Sequence, residues 1–334
     1  MNYLQLAKYG LQYGVNVWKE YRFIRHYLEP LVNAHCNTLG YTLNKKENKK
    51  VFRYYPILTV CGNAENYIFL RDRGLNDEER KRLTLMSAMA TLCDDLLDED
   101  GWTEDQLNGL FENLVDNERD YGSLSSKAKL ILCMNKDFKH LHIKDEYWKQ
   151  LKRAFHAQAE SIKQNQPDLS LEETLQISKD KNGHTSLIVA TLLDEDWSEA
   201  ELDFIYQTGV MGQLSNDIFD AWKDVQEDIY TIVRKTKDVA QLRNIFLEEY
   251  GKLLSYLKQC RANEKTKRRT INRLACIYSF GIIGLEQLEK VEKKYGTPIE
   301  WHSVLRKDLV VDMEYQRHRF NYLSKIVWLS NQYK

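Results

Sequence analysis

Residues that break helices are scarce along this chain: four prolines and fifteen glycines serve 334 positions. A many-stranded fold needs frequent turns, and glycine and proline make most of them, so long helices are favoured. The apolar spacing agrees. Leu83, Leu85, Met86, Met89, Ala90, Cys93, Leu96 and Leu97 recur at helical spacing until Gly101 interrupts them. Asn76 precedes Asp77-Glu78-Glu79, which suits a capped start whose acidic first turn complements the helix dipole. Thr103 caps a following helix. Further helices are expected over 125–136, 145–165, 171–193, 198–228, 239–261, 266–294 and 298–330. Capping-box spacing occurs at Ser170/Glu173 and Ser198/Glu201, and Pro298 suits a first turn. The first 30 residues read as helix through Leu4, Leu11, Val15, Trp18 and Phe23. The Asn-rich stretch 31–60 gives no clear period. No segment alternates long enough to demand a sheet. The expectation is an all-α, single-domain protein over residues 1–334, a bundle of about ten helices.

The charges nearly cancel, with 48 basic and 49 acidic residues, which removes any chain-wide attraction to nucleic acid or anionic membrane. The 43% hydrophobic content is that of a globular chain. Cys36, Cys61, Cys93, Cys133, Cys260 and Cys276 form no CxxC pair and have no histidine partner at zinc-finger spacing. They read as small hydrophobes in a reducing compartment. Lysines at 8 and 19 interrupt any signal-peptide core, and the uncharged run Leu274–Leu285 is too short for the roughly 20 residues of a membrane span. A soluble, cytoplasmic protein is expected, with no transmembrane segment and no nucleic-acid partner.

Two acidic clusters lie inside helical patterns. In Cys93-Asp94-Asp95-Leu96-Leu97-Asp98-Glu99-Asp100, Asp94 and Asp98 share a helix face with Asp95 one step round. Like charges at that spacing repel, a divalent cation would relieve the repulsion, and hard ions prefer carboxylate oxygen. A solvated helix end is the other reading. The second cluster places Asn216, Asp220 and Asp224 four and four apart, flanked by apolar Ile218, Phe219, Ala221 and Trp222. An amide oxygen and two carboxylates in one row make a hard-metal site, with Lys223 beside them as counter-charge or phosphate contact. An exposed amphipathic face is the alternative. Two acidic rows holding Mg²⁺, which completes its shell with water and phosphate, point to a diphosphate substrate.

Asp94-Asp95-Leu96-Leu97-Asp98-Glu99 resembles the aspartate-rich DDxxD(E) motif of class I isoprenoid synthases. Asn216-Asp217-Ile218-Phe219-Asp220-Ala221-Trp222-Lys223-Asp224 is similar to the second metal motif of class I terpene synthases, NDxxSxxxE, with Asp220 in place of Ser or Thr and Asp224 in place of Glu. It also resembles the second motif of squalene and phytoene synthases, in which an Asn precedes a DxxxD pair. The resemblance covers the order and spacing of motifs over residues 60–330. Lys179-Asp180-Lys181-Asn182-Gly183-His184-Thr185-Ser186, preceded by Gln158, Ser161 and Gln164, is similar to diphosphate-contacting segments of these enzymes; a helix kink or loop with solvated lysines is the other reading. Arg319-Phe320 loosely matches their late Arg-Tyr pair, without the phenol.

The resemblance implies an antiparallel helical bundle around an apolar cavity. It implies three Mg²⁺ ions on Asp94, Asp95, Asp98, Asn216, Asp220 and Asp224, and diphosphate contacts from Lys181, Lys223 and Arg319. The implied reaction is ionisation of a linear prenyl diphosphate and cyclisation of the cation to a terpene. Aromatic faces would stabilise that cation, and Tyr67, Phe69, Phe219 and Trp222 lie near the motifs. Chain elongation is disfavoured, because residues 99–118 hold no Lys or Arg before Arg119 and the second motif begins with Asn. Head-to-head condensation of two prenyl diphosphates is the alternative chemistry, and a non-catalytic helical interaction protein the alternative class. A homodimer is left open.

Overall fold

The computed structural model describes residues 1–116 and 124–333, and among them every regular element is helical. In chain order the longer helices are α1 (Tyr3–Phe23), α2 (Glu29–Leu39), α3 (Asp77–Asp98), α4 (Glu104–Asp116), α5 (Ser126–Lys139), α6 (Asp145–Ser161), α7 (Leu171–Thr191) and α8 (Glu199–Phe219). They continue with α9 (Ala221–Gln226), α10 (Val239–Gln259), α11 (Glu264–Tyr295) and α12 (Gln316–Ser330). The expected caps form. Asn76 accepts from Glu79 N at 2.8 Å, and the Glu79 carboxylate returns to Asn76 N at 2.9 Å. Ser170/Glu173 and Ser198/Glu201 make the same reciprocal pairs.

The chain divides into two compact units. The first comprises Lys8–Phe155 and Ile188–Asp196. Here α3 packs on α5 and on the segment 50–64, burying Leu83, Leu85, Leu92 and Leu96 with Leu130, Ile131, Met134 and Phe138. The Asn-rich stretch 31–60, which shows no clear period, is helical apart from residues 40–44. It contains π-helical turns at Lys50–Tyr54 and Leu58–Ala64, whose wider repeat displaces apolar positions from the 3.6 spacing used to find helices. Glu79 ties this unit together: buried, it accepts from Arg73 and from the backbone of Asp194. Burial opposes its ionisation, but those donors hold its carboxyl below the usual range.

The second unit comprises Met1–Ala7, His156–Leu187 and Trp197–Lys334. At its centre α8 packs on both α10 and α11, so it is apolar on several sides: Phe204, Ile205, Val210, Met211, Leu214 and Ile218 are all buried. Two expected helices differ. The helix expected over 198–228 breaks at Asp220 (φ −93°, ψ 13°), separating α8 from α9. The one expected over 298–330 reduces to short turns and α12, because Lys294 and Tyr295 of α11 hold Asp308 at 2.7 and 2.8 Å and fold the Arg306–Leu309 turn back onto that helix.

Within this unit α7 crosses α8 at backbone contact. A Cβ on Gly209 would stand 2.1 Å from the Asn182 carbonyl oxygen, and one on Gly183 would stand 2.3 Å from the Tyr206 ring. Gly209→Ala is expected to destabilise the protein by about 2–3 kcal/mol, as overpacking outweighs the better helix propensity. Gly251→Ala, at an exposed position of α10 with nothing within 4 Å of the added methyl, should instead stabilise by about 0.5–1 kcal/mol. Denaturant titration of both variants checks the pair.

Candidate metal and diphosphate site

The site in the second unit follows from that crossing. Because α7 and α8 run antiparallel, Asn182 lies opposite Gly209 and Ser178 opposite Asp217. Ser178 Oγ donates to Asp217 Oδ2 at 2.9 Å, and Gln213 Nε2, one turn earlier on α8, donates to Oδ1 at 2.7 Å. Gln164 Nε2 reaches Ser178 Oγ at 3.4 Å, and the Gln164 carbonyl accepts from Tyr230 N at 2.7 Å. Asp217 is 2% exposed; burial pushes its carboxyl up to about 6, against the opposing pull of Gln213, Ser178 and the Lys181 charge. Lys181 is thus brought to the acidic motif. It lies on the continuous helix α7, so the 179–186 segment is not a loop.

The stripe keeps its register through the break in the helix. Asp220 N donates to the Asn216 carbonyl at 2.8 Å and Asp224 N to the Asp220 carbonyl at 3.1 Å, so the i→i+4 ladder continues across the bend. Along it Asn216 is exposed, Asp220 half-buried and Asp224 buried. Asp224 is the extreme member: its carboxylate receives no hydrogen bond among the described residues. Burial first, then the charges of Asp217 and Asp220, push it up to about 8. Burial also raises Asp220, against the Lys223 charge. Lys223 is exposed and 3.7 Å from Glu227. Arg319 is on α12, where its Nε donates to the Met313 carbonyl at 2.7 Å.

In the first unit Asp95 is 1% exposed and its Oδ1 is ion-paired with Lys50. Lys50 also reaches Glu99 at 3.0 Å, and Lys46 reaches it at 2.6 Å. These lysines lower the Glu99 carboxyl to about 2. Asp95 was expected as a metal ligand, and half of its carboxylate is committed to a protein cation; Oδ2 is buried with no hydrogen-bond partner among the described residues. Burial raises its carboxyl despite Lys50. Asp94 is half-buried beside it on α3. The Asp98 side chain and Arg119 lie outside the described residues.

Among the described residues no three His, Cys, Asp or Glu side chains converge to hold a metal ion. The donor chemistry fits an ion bound by one or two carboxylates that completes its shell with water and substrate oxygen, which is the habit of Mg²⁺. Two observations carry the fit: the orphaned Asp95 Oδ2, and the desolvated Asp224 beside two further acids. The aromatic neighbours are only partly those named from the sequence. Phe219, next to Asp220, meets Phe280 at 5.2 Å between ring centroids, and Phe280 meets Tyr322 at 4.6 Å; all three rings are half-buried. Tyr67 is fully buried in the other unit. Ser178 and Gln213 were also missed as site residues. Their signal was helical spacing: Ser178 is three before Lys181, and Gln213 is four before Asp217.

The raised acids set a pH dependence. Without metal, Asp217 and Asp224 hold protons in the folded chain that they release in the unfolded one, whose carboxyls titrate near 3.9. Stability therefore falls as pH rises from about 4 through the folded values of about 6 and about 8. Asp224→Asn should raise stability at pH 8 by about 2–4 kcal/mol and flatten the slope above pH 6, and Mg²⁺ should restore part of the wild-type loss. Thermal unfolding across pH, with Mg²⁺ or chelator, reads both effects; an identical slope in the variant would remove Asp224 as their source. By sequence, no protein-family model matches the chain and no curated protein matches it, so the functional reading rests on these residues and their geometry.

Proposed function

We propose that this chain is a Mg²⁺-dependent enzyme of the class I isoprenoid synthase type, a terpene cyclase. It ionises a linear prenyl diphosphate and closes the resulting cation to a terpene with release of diphosphate. The observation that carries the reading is the Asn216–Asp220–Asp224 row, which keeps its ladder across a bend and buries an acid without donors at its inner end. Its burial cost is unexplained by packing alone and is what a cation would offset.

Asn216, Asp220 and Asp224 would hold Mg²⁺ in one unit, and Asp94, Asp98 and the free oxygen of Asp95 in the other. Bound there, the metal supplies Lewis-acid stabilisation of the departing diphosphate. The protein's own groups do the rest. Lys181, brought within electrostatic reach of Asp217 by the Gly209 crossing, would offer a positive charge to phosphate oxygen. Ser178 and Gln213 occupy both Asp217 oxygens and hold that carboxylate still. The half-buried rings of Phe219, Phe280 and Tyr322 form a chain of ring contacts that starts next to Asp220, and an aromatic face open to a cation is worth roughly 0.5–2 kcal/mol. Lys223 and Arg319 would close over the diphosphate from positions that are exposed here. The fold class proposed with this reading is the antiparallel bundle of that superfamily.

One feature favours a second reading. Asp220 and Asp224 form a DxxxD pair, a spacing that suits head-to-head condensation of two prenyl diphosphates.

Incubation with C10, C15, C20 and C25 prenyl diphosphates, singly and mixed, with Mg²⁺ or chelator, decides between them. A cyclic or hydroxylated product from one diphosphate, lost with chelator, is expected. A product of doubled carbon number establishes the second reading, and no Mg²⁺-dependent diphosphate release overturns both in favour of a non-catalytic helical protein. Asp94→Asn with Asp98→Asn, and separately Asp220→Asn with Asp224→Asn, should each lower kcat/KM at least 100-fold with helical circular dichroism intact. Asn216→Ala should weaken Mg²⁺ dependence more than Cys93→Ala does.

A further inference from the structure

Helix α1 satisfies the sequence's helical spacing but leaves its apolar row uncovered. Leu4, Leu11, Val15 and Trp18 fall in one sector of roughly 60° at 100° per residue. They are 82%, 75%, 51% and 56% exposed. The face that α1 does bury is the opposite one, through Leu6, Glu20 and, just beyond its end, Ile24. Tyr3 and Tyr13 add exposed aromatic surface along the same helix. Elsewhere among the described residues the exposed large apolar side chains are scattered, so this contiguous row is the surface that calls for a partner.

Its charge selects the partner. Lys8, Lys19 and Arg22 flank the row and are exposed, and the Arg22 guanidinium stacks on the Trp18 ring at 4.9 Å. The only acid in residues 1–28 is Glu20, which is buried and ion-paired with Arg80, so the helix itself brings no negative charge to the face that carries these cations. Two copies meeting face to face would bring their cations together. An anionic bilayer complements both properties at once, since Leu, Val and Trp enter the headgroup boundary while Lys and Arg stay at the phosphates. No described helix is long and apolar enough to cross a membrane, which is consistent with one that lies on its surface. The chain-wide net charge of −1 conceals this local basic face.

We propose that α1 is an interfacial helix that docks the protein onto anionic lipid bilayers through Leu11, Val15 and Trp18, with Lys8, Lys19 and Arg22 at the lipid phosphates. This goes beyond the diphosphate chemistry and stands independently of it. The test is flotation of the full chain with vesicles of phosphatidylcholine containing roughly a third phosphatidylserine, compared with phosphatidylcholine alone. Binding is expected only to the anionic vesicles and is weakened by salt. Leu11→Ser/Val15→Ser/Trp18→Ser should weaken partitioning at least 100-fold. Lys8→Gln/Lys19→Gln/Arg22→Gln should weaken it about 100-fold, at roughly fivefold per cation. Either variant suffices if the other loses its helical circular dichroism. Absence of wild-type binding overturns the proposal, as does wild-type-like binding of the variants. A dimer that the apolar variant converts to monomer, without vesicle binding, also overturns it and makes the face a contact between copies.

Discussion

The candidate site depends on a contact between two backbones. Where α7 passes α8 at Asn182 and Gly209, no side chain intervenes, and the helices come closer than any other residue would permit. That approach lets the short Ser178 hydroxyl span to Asp217 and brings the Lys181 charge within electrostatic reach of the same carboxylate. Interhelical hydrogen bonds of this kind carry modest net energy but fix register, because a buried carboxylate left without donors is costly. The glycine therefore acts on the electrostatics of residues two turns away along α8.

The two acidic clusters manage repulsion by different means. Around Asp95 and Glu99 the protein supplies cations of its own, Lys50 and Lys46, leaving one orphaned oxygen. Along Asn216–Asp220–Asp224 the protein supplies little: Lys223 is exposed, and Asp224 responds by holding its proton to about pH 8. A carboxylate paired internally is a structural element, whereas one left protonated at neutral pH exchanges that proton for another positive charge when one is offered.

Much of the helical framework was legible because caps and apolar periods are local signals. Asn76, Ser170 and Ser198 start helices as their spacing predicts. The failures are instructive for the same reason. The segment 50–64 is helical with a π repeat, which a 3.6 period misses. The bend at Asp220 carries no glycine or proline to announce it. In α1 the period identifies the helix, but periodicity marks an apolar face without saying what covers it, and this face is exposed. At the candidate site, the acidic row is named from spacing and Lys181 from the resemblance of its segment to diphosphate-contacting ones. Ser178, Phe280 and Tyr322 are named by neither, because they reach it through tertiary packing across distant stretches of sequence.

The bend at Asp220 places the inner acid on a helix of only six residues. So short a helix has little stability of its own, and its order derives from what surrounds it. Its last turn is tied down by Ile229 N on the Asp224 carbonyl and, further on, by Tyr230 N on Gln164. Under the proposed reading, a cation on the acidic row would also favour the ordered form of residues 221–230, so changes at Tyr230 or Gln164, which touch no carboxylate, would retune its affinity at Asp224 through the cost of local unfolding.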